Sequence, residues 1–158
     1  MRPEFRMPPR FSAGFTLLEM LVAIAIAGVL AAMAVPILID SRKRGNESNA
    51  IVSMRQIHTA QTAFLQYDKD RDGQPDYATD LAELYTSGKL INEVLATGEM
   101  LGYQFALLPG PEARTWSATA VPVEPGRSGD RSFWIDEAGV IRYSTSGVAG
   151  PDDPPIGG

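Results

Sequence analysis

The chain has 158 residues, a net charge of −5 and no cysteine. That length accommodates one modest domain plus a membrane segment. The missing cysteines exclude disulfides, thiol nucleophiles and thiolate metal sites, and the acidic balance offers no basic face for general nucleic-acid binding, so no nucleic-acid partner is expected.

Residues 1–14 form a basic leader. Arg2, Arg6 and Arg10 stand against Glu4, so removing the leader takes the net charge from −5 to −7. Residues 20–39, MLVAIAIAGVLAAMAVPILI, carry no charge. Their number matches the roughly 20 residues a helix needs to cross a ~30 Å hydrocarbon core. Asp40, Arg42, Lys43 and Arg44 follow, which blunts the positive-inside preference for a cytoplasmic leader. Glu19 sits at the start of the apolar stretch, where a charge within the bilayer costs roughly 2.5–3.5 kcal/mol. Three readings are open on these residues. The chain is a membrane-inserted precursor cut at Gly14, or a secreted protein cut after the small-residue site Ala32-Met33-Ala34, or a permanently anchored protein whose Glu19 reaches the headgroups. The apolar run exceeds the ~7–15 residues of a secretory signal, and an acid near its start is unusual there.

Gly14-Phe15-Thr16-Leu17-Leu18-Glu19 followed by an apolar helix resembles the class III leader of type IV pilins and type II secretion pseudopilins, over residues 10–44. The glycine before the cut, the phenylalanine after it and the glutamate four residues later all match, and Pro36 falls where many pilins place a helix-kinking proline. The resemblance implies that a prepilin peptidase cuts between Gly14 and Phe15 and methylates the new amino terminus. Such an amine is largely protonated near neutral pH. Glu19, one turn into the mature helix, can pair with the amine of a neighbouring subunit, which offsets the cost of both charges in a dry place. Ala23, Ala25, Ala27, Gly28, Ala31 and Ala32 let such helices approach closely. Pro36 removes one backbone donor and either kinks the helix or marks the end of the span.

Residues 46–67 read as an amphipathic helix, with Ile51, Met54, Ile57 and Phe64 recurring at helical spacing. A first long helix is therefore expected from about Phe15 to Tyr67, loosened at Pro36 and at Gly45-Asn46. His58, the single histidine, reads as solvated or packing. Asp68-Lys69-Asp70-Arg71-Asp72-Gly73 matches the first half of a calcium loop, with Asp68, Asp70, Asp72 and Asp76 as candidate ligands. The second half departs, because Thr79 stands where a bidentate glutamate would close the site. The competing reading is a polar turn whose aspartates cap backbone donors. Calcium is the one cofactor suggested, and none is required.

Asp80 and Glu83 predict a capped short helix that ends near Gly88, and residues 90–95 another short turn of helix. The period then changes to alternation. Strands are expected at 103–107, 115–121, 132–136 and 140–144, the last two flanking the turn Glu137-Ala138-Gly139. Trp116, Phe133, Trp134 and Tyr143 read as core or cross-strand residues. Residues 147–158, rich in Pro and Gly, read as a flexible tail.

The expected fold is α+β, a long amino-terminal helix packed on a small antiparallel β-sheet of three or four strands. Its parts are a leader (1–14), a transmembrane or filament-core helix (15–39), the amphipathic half of that helix (40–67), a globular head (68–146) and the tail (147–158). The pilin resemblance implies a ladle-shaped subunit, held in the bacterial inner membrane before assembly and in a periplasmic or extracellular filament after it. Its partners would be prepilin peptidase, other subunits and, indirectly, an assembly platform and ATPase. No G-x-S-x-G elbow, P-loop or H-E-x-x-H motif is present, so no enzymatic activity is expected. The alternative is a membrane-anchored or secreted periplasmic binding module tuned by calcium.

Overall fold

The computed structural model describes residues 14–70, 73, 75–110 and 114–157. The chain divides into two compact units, Met1–Ile37 and Leu38–Gly158. Helix α1, Leu17–Tyr67, is continuous through Pro36, Gly45 and Asn46. The expected loosening at Gly45-Asn46 is absent. Pro36 still withholds one N–H from the helix ladder. Every described residue from Gly14 to Arg42 is exposed. One 18-residue window of α1 reaches a mean hydropathy of 2.7 and buries nothing within the chain, so this helix is long and apolar enough to cross a membrane.

In the second unit, α1 turns one face inward. Ala50, Ser53, Met54, Ile57, Ala60, Gln61 and Phe64 are buried at spacings of three and four, as an amphipathic helix requires. Helix α2, Leu81–Thr86, begins at Asp80, whose carboxylate accepts the Glu83 N–H at 2.8 Å. The Glu83 carboxylate returns to the N–H and hydroxyl of Thr79, at 2.7 and 2.9 Å, one residue earlier than a standard capping box. Helix α3, Glu93–Ala96, is capped by Asn92, which accepts from Leu95 N–H at 2.7 Å. It starts later than the expected turn at 90–95.

Among the described residues the sheet has five strands, not three or four: β1 Glu99–Met100, β2 Tyr103–Pro109, β3 Trp116–Pro122, β4 Ser132–Asp136 and β5 Arg142–Ser144. They form an antiparallel meander in the order β1-β2-β3-β4-β5. Strand β1 has only two residues, too short for an alternation pattern to announce it. It is joined to β2 by Leu101 and Gly102, both at positive φ, as a two-residue hairpin needs. Gly is at ease there; Leu101, at φ 50°, bears a steric cost of roughly 1–2 kcal/mol.

Alternation sorts the sheet residues. Tyr103, Phe105 and Leu107 of β2, Trp116, Ala118 and Ala120 of β3, and Phe133 and Ile135 of β4 join α1, α2 and α3 in one apolar core. Trp134 lies on the opposite face, half-buried, paired with Thr119 on one side and Arg142 on the other.

The described carboxy-terminal residues hydrogen-bond to the sheet. Ser132 Oγ donates to Gly147 O at 2.7 Å and accepts from Ala149 N–H at 2.8 Å. Ile156 N–H donates to Ile141 O, and Tyr143 N–H to Pro154 O. The Pro154-Pro155 segment thus lies along the outer edge of β5. Proline lacks a donor of its own, and a proline-bearing edge is a poor template for further strands. Composition suggested mobility because Pro and Gly are common in linkers; it could not show the acceptors waiting on β5.

Candidate assembly site

Three features define the amino-terminal site. Gly14 and Phe15 precede the helix and are exposed. Thr16 caps it: its Oγ1 accepts the Glu19 N–H at 3.2 Å, and its carbonyl accepts from Met20 N–H at 3.2 Å. Glu19 is therefore the third helical residue, where the unpaired N–H groups of the first turn favour a negative charge. The Thr16-x-x-Glu19 spacing is an amino-cap signature, obscured in the sequence by the apolar setting of Glu19. Phe15, Leu17 and Leu18 beside it are each more than 70% exposed, so the acid sits on an uncovered apolar surface.

A second cluster lies where α1 leaves the apolar run. Asp40, Lys43, Arg44, Glu47, Asp130, Arg131 and Thr145 line a cleft of about 580 Å³. Lys43 Nζ reaches Asp130 Oδ2 at 2.9 Å and Asp40 Oδ1 at 3.1 Å. Asp130, and after it Asp40, hold the Lys43 ammonium above its ordinary pKa. Glu47 is buried and fully engaged. Its Oε2 accepts from Arg131 Nε and from the terminal guanidinium nitrogen, both at 2.8 Å, and its Oε1 accepts the Asp130 and Arg131 backbone N–H groups at 2.8 and 3.2 Å. The Arg131 guanidinium also lies over the rings of Phe133 and Tyr143 at 5.5 and 5.4 Å. Every group in the cleft has a structural partner or faces solvent, an arrangement that holds α1 to the start of β4.

The acidic loop that follows α1 is only partly described. Asp72 lies outside the described residues. Asp68 takes a positive φ of 43°, and its Oδ2 accepts the Gly73 N–H at 3.2 Å, which is a turn-capping role. Its Oδ1 is buried without a hydrogen-bond partner. Asp70 and Asp76 each interact within the chain. Among the described residues, no group of three or more His, Cys, Asp or Glu is placed to hold a metal ion. His58 packs on the β4–β5 turn, with Nε2 3.3 Å from Glu137 O and its ring 6.0 Å from that of Trp116.

Residues 9–35 match the family model described as the prokaryotic N-terminal methylation motif. The type IV major pilin protein PilA of Myxococcus xanthus (strain DK1622) is 36% identical over 148 residues, which are 92% of this chain and 64% of that protein. The chain thus spans just under two thirds of that pilin's length. The type II secretion system core protein G of Dickeya chrysanthemi is 29% identical, over 91% of this chain and 84% of that protein. Its counterpart in Aeromonas hydrophila is 28% identical, over 93% and 92%. The chain is thus similar to a type IV pilin and to type II secretion core proteins. No solved structure matches it.

The chain keeps the motif residues Gly14, Phe15 and Glu19 together at one exposed helix start. Pro36 lies within helix α1. The similarity to the relatives extends far beyond the motif, across the head as well. The Glu47–Arg131 pair was not anticipated. A glutamate in a stretch of small polar residues gives no sign that its partner lies 84 residues away.

Proposed function

We propose that this chain is a structural, non-catalytic subunit of a type IV pilus or type II secretion filament. Prepilin peptidase cuts it between Gly14 and Phe15 and methylates Phe15. It resides in the bacterial inner membrane as a single-pass protein until a platform protein and an ATPase extract it into a periplasmic or extracellular filament. Neighbouring apolar helices then bury one another, and a head-to-tail contact that does not close gives a fibre. The observation that carries this reading is Glu19: a carboxylate fixed in the first turn of a helix whose apolar run is exposed, inside the residues that match the methylation motif. It is well placed to take the amine of the next subunit. Electron microscopy of filaments from cells expressing Glu19→Ala tests this. Loss of filaments with cleavage intact is expected; normal filaments would overturn the assigned role of Glu19. Thr16→Ala, which removes only the cap, separates helix stability from assembly.

A second and independent reading is that the 68–76 loop binds calcium weakly. It is favoured by the buried Asp68 Oδ1, an oxygen without a hydrogen-bond partner. Calcium at millimolar concentration should then raise the melting temperature. No change would refute it.

A further inference from the structure

We propose that the rim of the head at the β1–β2 turn is a lipid-contact surface. Leu101 and Val123 enter the headgroup layer of an anionic bilayer, and Arg42 and Arg44 pair with lipid phosphates. The proposal rests on the membrane-inserted state described above, though not on filament assembly.

Position comes first. Asn46 Nδ2 donates to Ser128 O at 2.9 Å. The Gly102 backbone lies so close to both that an added Cβ would stand 3.1 Å from Asn46 Nδ2 and 2.9 Å from the Ser128 Cβ. Val123 N–H donates to Gly102 O at 2.9 Å. The turn and Val123 are therefore locked beside α1 at the level of Asn46. Asn46 is seven residues past Ile39, the last apolar residue of the run, or roughly 10 Å along the helix axis. The polar layer on each side of a bilayer is roughly 5–8 Å deep, so the level of Asn46 lies just beyond it, at the bilayer surface.

Chemistry comes second. A two-residue hairpin with both φ angles positive ordinarily takes Asn, Asp or Gly at its first central position. Here that position holds Leu101, and its side chain is 55% exposed. An uncovered leucine in a disfavoured conformation gains nothing from the core. Val123, bonded to the same turn, is 48% exposed. The two make an apolar tip that points to a medium outside the chain.

Charge comes third. Of the three consecutive cations at 42–44, Lys43 is satisfied by Asp40 and Asp130. Arg42 and Arg44 are exposed and, among the described residues, have no ion pair within the chain. Guanidinium groups suit bidentate pairing with phosphate. Residues 59–158 carry fifteen acidic and seven basic side chains, so an anionic surface repels the rest of the head and draws this end down. The contact orients the head on the bilayer and must be released when the subunit is extracted.

Because the chain lacks cysteine, single labels are straightforward. The full chain carrying a nitroxide at Leu101→Cys is reconstituted in vesicles of phosphatidylcholine and phosphatidylglycerol. The control label is Leu108→Cys, 51% exposed at the far end of β2. Collisions with oxygen, which concentrates in lipid, are compared with collisions with a water-soluble nickel chelate. At Leu101→Cys, oxygen should exceed the chelate several-fold; at Leu108→Cys the order should reverse. Adding Arg42→Gln and Arg44→Gln, or omitting phosphatidylglycerol, should shrink the difference. Val123→Cys should repeat the pattern if the Leu101 variant disturbs its turn. Equal water access at the two ends of β2 would overturn the proposal, as would shielding from both relaxers with label–label broadening, which would mean a second copy covers the rim. Failure of the chain to float with the vesicles would instead sink the membrane reading. Filament formation is not involved in any arm.

Discussion

Glu47 on α1 and Arg131 at the start of β4 are 84 residues apart in sequence and meet in a forked ion pair with both N–O distances at 2.8 Å. The pair closes the long loop between helix and sheet at the point where α1 emerges from its apolar run. Glu47 is buried, so its charge depends on these bonds.

Glu47→Ala should therefore destabilise the head by about 2–4 kcal/mol, toward the lower side of the range for breaking a buried pair because the Arg131 side chain is about one-third exposed. Thermal melts of the single and double variants check this. Arg131→Ala in the Glu47→Ala background should add little, since the two effects share one interaction. Additive losses would mean that the pair is not the source.

Gln61 makes a comparable closure higher on α1. Its amide donates to Ala78 O at 2.9 Å and accepts from Ala78 N–H at 3.0 Å, with the side chain wholly buried. Gln61→Leu keeps the volume but strands two backbone groups, at a cost of about 2–4 kcal/mol. Hydrogen exchange should report faster exchange at Ala78 in that variant, with β3 and β4 little changed.

Tyr103 gives the head an alkaline limit. Burial first, and then the Glu47 carboxylate, push its hydroxyl well above the ordinary value near 10. The hydroxyl donates to Arg131 O at 2.7 Å. The unfolded chain releases this proton from about pH 10 upward, while the folded chain keeps it. The contribution is thus full below pH 10 and is lost as pH climbs toward the folded value. Denaturant midpoints measured between pH 9 and 11.5 should fall less steeply for Tyr103→Phe than for the parent. The variant should also begin about 1 kcal/mol less stable at neutral pH.

Thr16→Ala should lower helicity at the start of α1 and cost roughly 0.5–2 kcal/mol of local helix stability. In detergent micelles, amide exchange at Glu19 should rise in this variant while exchange at residues 50–60 stays unchanged.

Much of this fold is legible in the chain because its signals are local. The uncharged run at 20–39, the spacing of Met54, Ile57 and Phe64, and the Asp80–Glu83 cap all announce helix within a few residues. The alternation at 103–107 and the turn at 137–139 do the same for strands. What stayed hidden depends on partners far away in sequence. Glu47 gave no hint of Arg131, nor Gln61 of Ala78. The residues from Gly147 on read as linker until Ser132 and Ile141 supply their hydrogen bonds. At the amino terminus the motif is plain in Gly14, Phe15 and Glu19, and the capping role of Thr16 is legible from its spacing to Glu19. Asp72 lies outside the described residues, so the calcium reading stands as the proposal made above.

The most direct test is the intact mass and amino-terminal sequence of the protein taken from its native cell. N-methylated Phe15 as the first residue is the expected result and places the chain on the prepilin pathway. Val35 as the first residue would mean ordinary secretion without the apolar helix, and an uncut chain would mean a permanent anchor; either would contradict assembly through Glu19.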